Sequence, residues 1–349
     1  MPLPYARGPV SDALLRLLHE PPDPTDPADP ADPVARAGLG EITAAAVRGS
    51  ADPLCDEDLQ LSLHLCYELH YRGLDGVDER WEWHPSLLAV RAQVERSVEH
   101  ALRASVHPVD QQKDVDLELS RLVDEDDGPA LSTYLMRRAS LEQFVEFVQH
   151  RSVYQLKEAD PHAFVVPRLP PGPAKAALLE VQWDEFGGGR AERMHAALFA
   201  QTLRALGVDD RYGTWADLVP APTLATVNLM SLFALHRRWR GALLGHLAVL
   251  EMTSTTPNRR YATGLRRLGF GRQATAFYDE HVLADAVHEQ VVAVDLCGSF
   301  VRAEPQLRGD VLFGAASTLL LEARFGATLL DAWHCGRSSL RPRAARLTA

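Results

Sequence analysis

Lysine is nearly absent from this chain: Lys113, Lys157 and Lys175 are the only three among 349 residues, and the net charge is −11. A protein that holds a nucleic-acid backbone or an anionic membrane needs a basic stripe, so neither kind of partner is expected. The most basic stretch, RSSLRPRAAR near the C-terminus, reads as a frayed tail. Cysteine is also sparse. Cys55, Cys66, Cys297 and Cys335 form no CxxC pair, which excludes a zinc ribbon and a disulfide framework and points to a reducing, cytoplasmic setting. No apolar run reaches the 18 residues of a membrane span, and MPLPYARGPVSDALL lacks a basic start followed by an apolar core. Alternating strand patterns never last beyond a few residues, so an all-α fold is expected.

What is present is helical periodicity, with 46% hydrophobic and 24% charged residues, the balance of a chain that builds its own core. Residues 1–37 read as a flexible segment: Ser11 as N-cap of DALLRLLHE, then the solvated Asp-Pro repeat PPDPTDPADPADP. Residues 38–138 form a helical platform, 139–336 a second helical domain, and 337–349 the tail. In the platform, His64, Glu68 and His70 lie on an amphipathic docking helix, and Trp81 and Trp83 anchor a loop. In the second domain, Ser140 caps a long helix that carries Glu158 and closes at Pro161. PGPAKAALLEVQWDEFGGG carries Glu185 just before a glycine stop. His195 opens the next helix, and a long helical region broken near Gly241 carries Glu251 and ends at Pro257.

The organising stretch is YDEHVLADAVHEQVVAV, where His281, Asp285 and His288 stand at offsets of 0, 4 and 7. At about 100° per residue these fall within roughly 60° of one another on one helical face. Two imidazoles and a carboxylate suit iron, manganese or zinc, although a solvated polar face accounts for the same triplet. A bundle holding two ions needs more inward groups. Glu158, Glu185, His195, Glu251, His281, Asp285 and His288 form such a set. A competing assembly takes Glu192-x-x-His195 and Asp285-x-x-His288 as ferritin-like pairs, but leaves His281 without a role.

Taken together, YQLKEADPHAFVVPRLPPGPAKAALLEVQWDEFGGGR, the Glu185-x9-His195 spacing, LEMTSTTPNRRYATGLRRLGF and His281-xxx-Asp285-xx-His288 resemble the haem-oxygenase-like diiron oxidases and oxygenases, a family of iron-containing redox enzymes. The resemblance implies a haem-oxygenase-like helical bundle with an extra N-terminal helical region. It further implies that the seven residues hold two Fe(II) ions without haem, and that dioxygen is the cosubstrate. Glu192 could replace Glu185 as the second-helix carboxylate. The implied activity is oxidation of a small molecule, an amino acid or amine in bacterial biosynthesis, by N-oxygenation, desaturation or C–C cleavage. Electrons come from an external donor or from the substrate. The alternative is a metal-binding or scaffold protein of the same fold without turnover.

No catalytic residue beyond the metal ligands is singled out. Arg259 and Arg260, beside Tyr261, either bind a substrate carboxylate or face solvent, and Cys297 packs. The apolar face of DLQLSLHLCYELHY suits a two-fold contact, so a homodimer is expected.

Overall fold

The computed structural model describes residues 1–22, 33–106 and 113–342, apart from the side chains of 33–37 and 284–287. Most of the Asp-Pro repeat and the end of the tail therefore lie outside the described residues. Within them there are helices and turns but no strand, in line with the all-α expectation. No described helix is long and apolar enough to cross a membrane. Two compact units divide the chain. The first comprises Met1–Ser105, Gly213–Asn228 and Leu340–Ala349, and the second Val106–Tyr212 and Leu229–Ser339.

The first unit holds α1 (Pro9–Leu18), α2 (Pro33–Gly49), α3 (Glu57–Glu68) and α4 (Pro85–Ser105). Its first residues are packed. Met1 is buried and its α-amino group donates to the Gly73 carbonyl at 2.6 Å. Ser11 is not the cap of α1 but sits inside its first turn. The capping acceptor is the Asp58 carboxylate, which takes the Val10 and Ser11 N–H groups at 2.8 Å each, a favourable place for an anion at a helix N-terminus. Asp58 belongs to α3, so this cap ties α1 to α3.

Every residue of α3 from Asp58 to Glu68 is buried. The helix from which a contact with a second chain was expected is therefore buried within the single chain along these residues. Two of its polar side chains find partners nearby: Asn228 Nδ2 donates to Gln60 Oε1 at 2.8 Å, and Tyr67 Oη to Glu95 Oε1 at 3.0 Å. Trp81 anchors its loop through an indole N–H to the Glu20 carbonyl at 2.9 Å, whereas Trp83 is exposed and lies against His70.

The second unit contains α5 (Val115–Asp124), α6 (Leu131–Arg137), α7 (Leu141–Gln155), α8 (Asp160–Ala163), α9 (Pro173–Glu185) and α10 (His195–Ala205). Next comes α11 (Ala221–Leu235), whose residues are divided between the units. It is followed by α12 (Arg240–Arg267), α13 (Arg272–Gln290), α14 (Ser299–Ala303) and α15 (Arg308–His334). Helix α12 is central, packing on α6, α13 and α15. Gly245 of α12 meets the Val311 carbonyl of α15, and Gly314 of α15 meets Ala242, so closely that no side chain fits at either glycine. Ser140 caps α7 in a capping box with Gln143, as its sequence signal indicated.

Two boundaries differ from expectation. Helix α7 stops at Gln155, and Pro161 opens α8 instead of closing α7. Proline lacks the N–H that a continuing helix needs but suits a first turn. Helix α12 continues past Pro257 to Arg267, so TSTTPNRRYATGLRRLG is not two segments. An internal proline costs about 3 kcal/mol, which packing on α13 and α15 outweighs. The tail is not frayed at its start: Ser339 is buried, and its hydroxyl donates to Glu146 at 2.7 Å.

Candidate metal centre

Glu185 and His195 are ten residues apart, and the intervening turn explains how they meet. Helix α9 ends at Glu185, and Gly187, Gly188 and Gly189 follow with φ of 69°, 61° and 78°. A side chain at Gly187 would lie 2.6 Å from the Arg193 and Met194 backbone. Only glycine allows that left-handed, close return. It delivers His195 to the first position of α10, with Nδ1 3.1 Å from Glu185 Oε2.

Glu158 arrives from a turn, not from the helix in which it was expected. The turn lies between α7 and α8, beside Ala159, which has a φ of 73°. Its Oε1 is 3.6 Å from Nε2 of His281 on α13, while Nδ1 of His281 contacts the Phe277 carbonyl at 2.9 Å. A carbonyl only accepts, so Nδ1 carries the proton and Nε2 presents its lone pair toward Glu158. The His195 and His281 rings lie 4.3 Å apart between centroids. One ligand atom from each of Glu158, Glu185, His195 and His281 falls within 4.8 Å of the others, and all four side chains are buried.

A second group adjoins the first. On α12, Glu251 Oε2 lies 3.2 Å from Nδ1 of His288, and Asp184 Oδ2 lies 3.0 Å from Nε2 of the same ring. Glu251 feels Glu185, His288 and His281 electrostatically. Asp285 belongs to α13, but its side chain lies outside the described residues. Just beyond His288, the chain widens into a π-helical stretch, Val291–Gly298, that packs on α9 and α12. Such stretches commonly mark functional sites.

The electrostatics are those of a site built for positive charge. Burial raises the Glu158 carboxyl above its ordinary range, opposed by His281, and burial likewise raises Glu251, opposed by His288. Tyr154, one turn before Glu158, has its hydroxyl pushed well up, first by burial and then by Glu158, Glu185 and Glu251. Glu158 Oε2 is buried without a hydrogen-bond partner. Buried carboxylates in that condition are costly, and a cation bound by two carboxylates and two imidazoles offsets the cost. The donor types fit iron, manganese or zinc.

Glu192 is exposed, in a short turn outside α10, so the Glu192-x-x-His195 pair shares no helix. Arg259 is exposed, and Arg260 donates to Ser132 at 3.1 Å. Cys297 is buried, with its thiol against the Leu244 carbonyl. Two residues escaped the sequence reading. Tyr154 could have been found by stepping one helical turn back from Glu158. Asp184 had no signal, because its neighbour Glu185 filled the role of the helix-end carboxylate.

Within this all-helical unit, buried glutamates and histidines converge from four segments into a cluster able to hold a metal ion. The sequence model for the family described as iron-containing redox enzyme matches residues 145–323, just over half of the chain and the part that carries these side chains. The chain belongs to this haem-oxygenase-like family. Comparison with curated proteins returns no match.

Proposed function

We propose that this chain is a non-haem diiron oxidase or oxygenase that uses dioxygen to oxidise a small organic substrate, an amino acid or amine in a biosynthetic step. The observation that carries this reading is the buried convergence of Glu158, Glu185, His195 and His281 within 4.8 Å. These residues hold one ion. Glu251 and His288, with Asp285 on the same helix, hold a second beside it, and Glu185 lies between the groups. When bound, two ferrous ions would supply two electrons and the open coordination positions that dioxygen reduction needs, the remaining electrons coming from the substrate or an external donor.

The protein's own part is geometry and exclusion of water. The glycine turn fixes Glu185 against His195, the Phe277 carbonyl fixes the His281 tautomer, and burial keeps the carboxylates from solvating themselves. Bare ions fit this donor set better than haem, which takes a single axial imidazole in an apolar cleft. The test is oxygen uptake by protein loaded anaerobically with Fe(II), screened against amino acids and amines. Uptake stimulated by one substrate class, and lost in His281→Ala, is the expected result. Product analysis then separates N-oxygenation, desaturation and C–C cleavage. Loaded protein that consumes no oxygen with any of these substrates would count against the proposal.

A further inference from the structure

We infer that Asp184 is a positioning residue for His288: it accepts the ring's Nε2–H and thereby leaves Nδ1, the nitrogen beside Glu251, to bind metal. This rests on the diiron reading above. An imidazole coordinates through one nitrogen and carries its proton on the other, and a bound imidazole almost always donates that N–H to a carboxylate, a carbonyl or water. His281 already follows the rule through the Phe277 carbonyl at 2.9 Å. His288, only 2% exposed, has a carboxylate oxygen at each nitrogen: Glu251 Oε2 at 3.2 Å from Nδ1 and Asp184 Oδ2 at 3.0 Å from Nε2. The question is which of the two is the ligand-side partner.

Surroundings decide it. The Glu251 side chain is 8% exposed, and the charges acting on it include Glu185 and His281, two members of the buried four-residue cluster. The Asp184 side chain is 50% exposed and sits at the rim of the site. Nδ1 therefore points inward and Nε2 outward. The last turn of α9 then serves both histidine-bearing helices with consecutive residues, Glu185 toward His195 on α10 and Asp184 toward His288 on α13. Successive residues of a helix diverge by about 100°, which lets neighbouring side chains at a helix end reach two different helices.

The experiment is anaerobic titration with Co(II), whose visible absorption reports coordination geometry, on the wild-type chain, Asp184→Ala and Asp184→Asn. Because Asp184 is half in water, the three proteins are expected to share one thermal melt. Asp184→Ala should hold one of the two ions roughly ten- to a hundredfold more weakly, the usual cost of losing such a partner. Asn keeps an acceptor oxygen, so Asp184→Asn should return to within a few-fold of wild type with an unchanged absorption spectrum. If the Asn variant binds as weakly as the Ala variant, the carboxylate is itself a ligand and the positioning role is overturned. It is equally overturned if Asp184→Ala binds like wild type. A wild-type chain that takes up no Co(II) would overturn the diiron reading and this inference with it.

Discussion

Both units bury a network of glutamates and histidines between helices, yet the two networks balance their charge differently. In the first unit, Arg91 reaches Glu95 at 3.2 Å and His70 at 2.7 Å, His70 meets Glu82 at 3.1 Å, and Tyr67 donates to Glu95. A guanidinium supplies the positive charge from within, and burial lowers the His70 pKa. In the second unit, Glu158, Glu185 and Glu251 face the imidazoles His281, His195 and His288. Histidine, glutamate and burial are common to both regions, so none of them by itself marks a metal site. The distinguishing feature is the source of the cation: an arginine completes the first network, whereas the second converges lone pairs on a point that an ion can fill.

The largest expected effect breaks the second network. His195→Ala or His281→Ala should abolish binding at the Glu158–Glu185 position, measured as metal per chain after anaerobic loading, because each removes one of four converging groups. Arg91→Ala should do the converse. Removing one partner of a buried pair costs about 3–5 kcal/mol, so urea denaturation should show a large loss of stability, while metal per folded chain stays at the wild-type value. Loss of metal in Arg91→Ala would erase the contrast between the networks.

A third, smaller effect concerns the turn that joins Glu185 to His195. Gly187→Ala forces a side chain into a left-handed backbone against Arg193, at a cost of about 1–3 kcal/mol, and should lower both thermal stability and metal affinity. Smaller still is the response to pH in the metal-free chain. Glu158 and Glu251 have carboxyl pKa values raised above the ordinary 4.5, so the folded state holds their protons more tightly than the unfolded state does. Stability should therefore fall as pH rises from 4.5 through the raised folded values, and metal loading should flatten that slope. Denaturation curves at several pH values, with and without metal, check the sign. At the bottom of the scale, Glu192→Gln should be silent in metal content, since Glu192 is exposed. A clear loss there, with Glu185→Gln unaffected, would favour the ferritin-like assembly.

The parts of this site legible in the sequence are those where local rules and tertiary demands agree. The spacing of His281 and His288 survives because α13 is a regular helix through both, and the glycine run after Glu185 is a turn that no other residue could make. The parts that were not legible depend on distant packing. Glu158 looked helical because LEQFVEFVQHRSVYQLKE keeps its period, but Pro161 moves the break ahead of it. Pro257 looked like a terminus because its cost is local and the compensating contacts with α15 are remote. Helix α3 reads as amphipathic, yet its polar residues are buried along with its apolar ones, because a buried polar side chain and a solvated one are identical in sequence until their partners, here Asn228 and Glu95, are in place. Asp184 is the same case within the site.

The number of irons bound by the second unit's carboxylates and imidazoles is the decisive quantity. After anaerobic Fe(II) loading and desalting, elemental analysis of the wild-type chain should find about two irons per chain, the stoichiometry that a carboxylate- and histidine-lined bundle core holds. A folded chain that retains no iron would contradict the diiron reading.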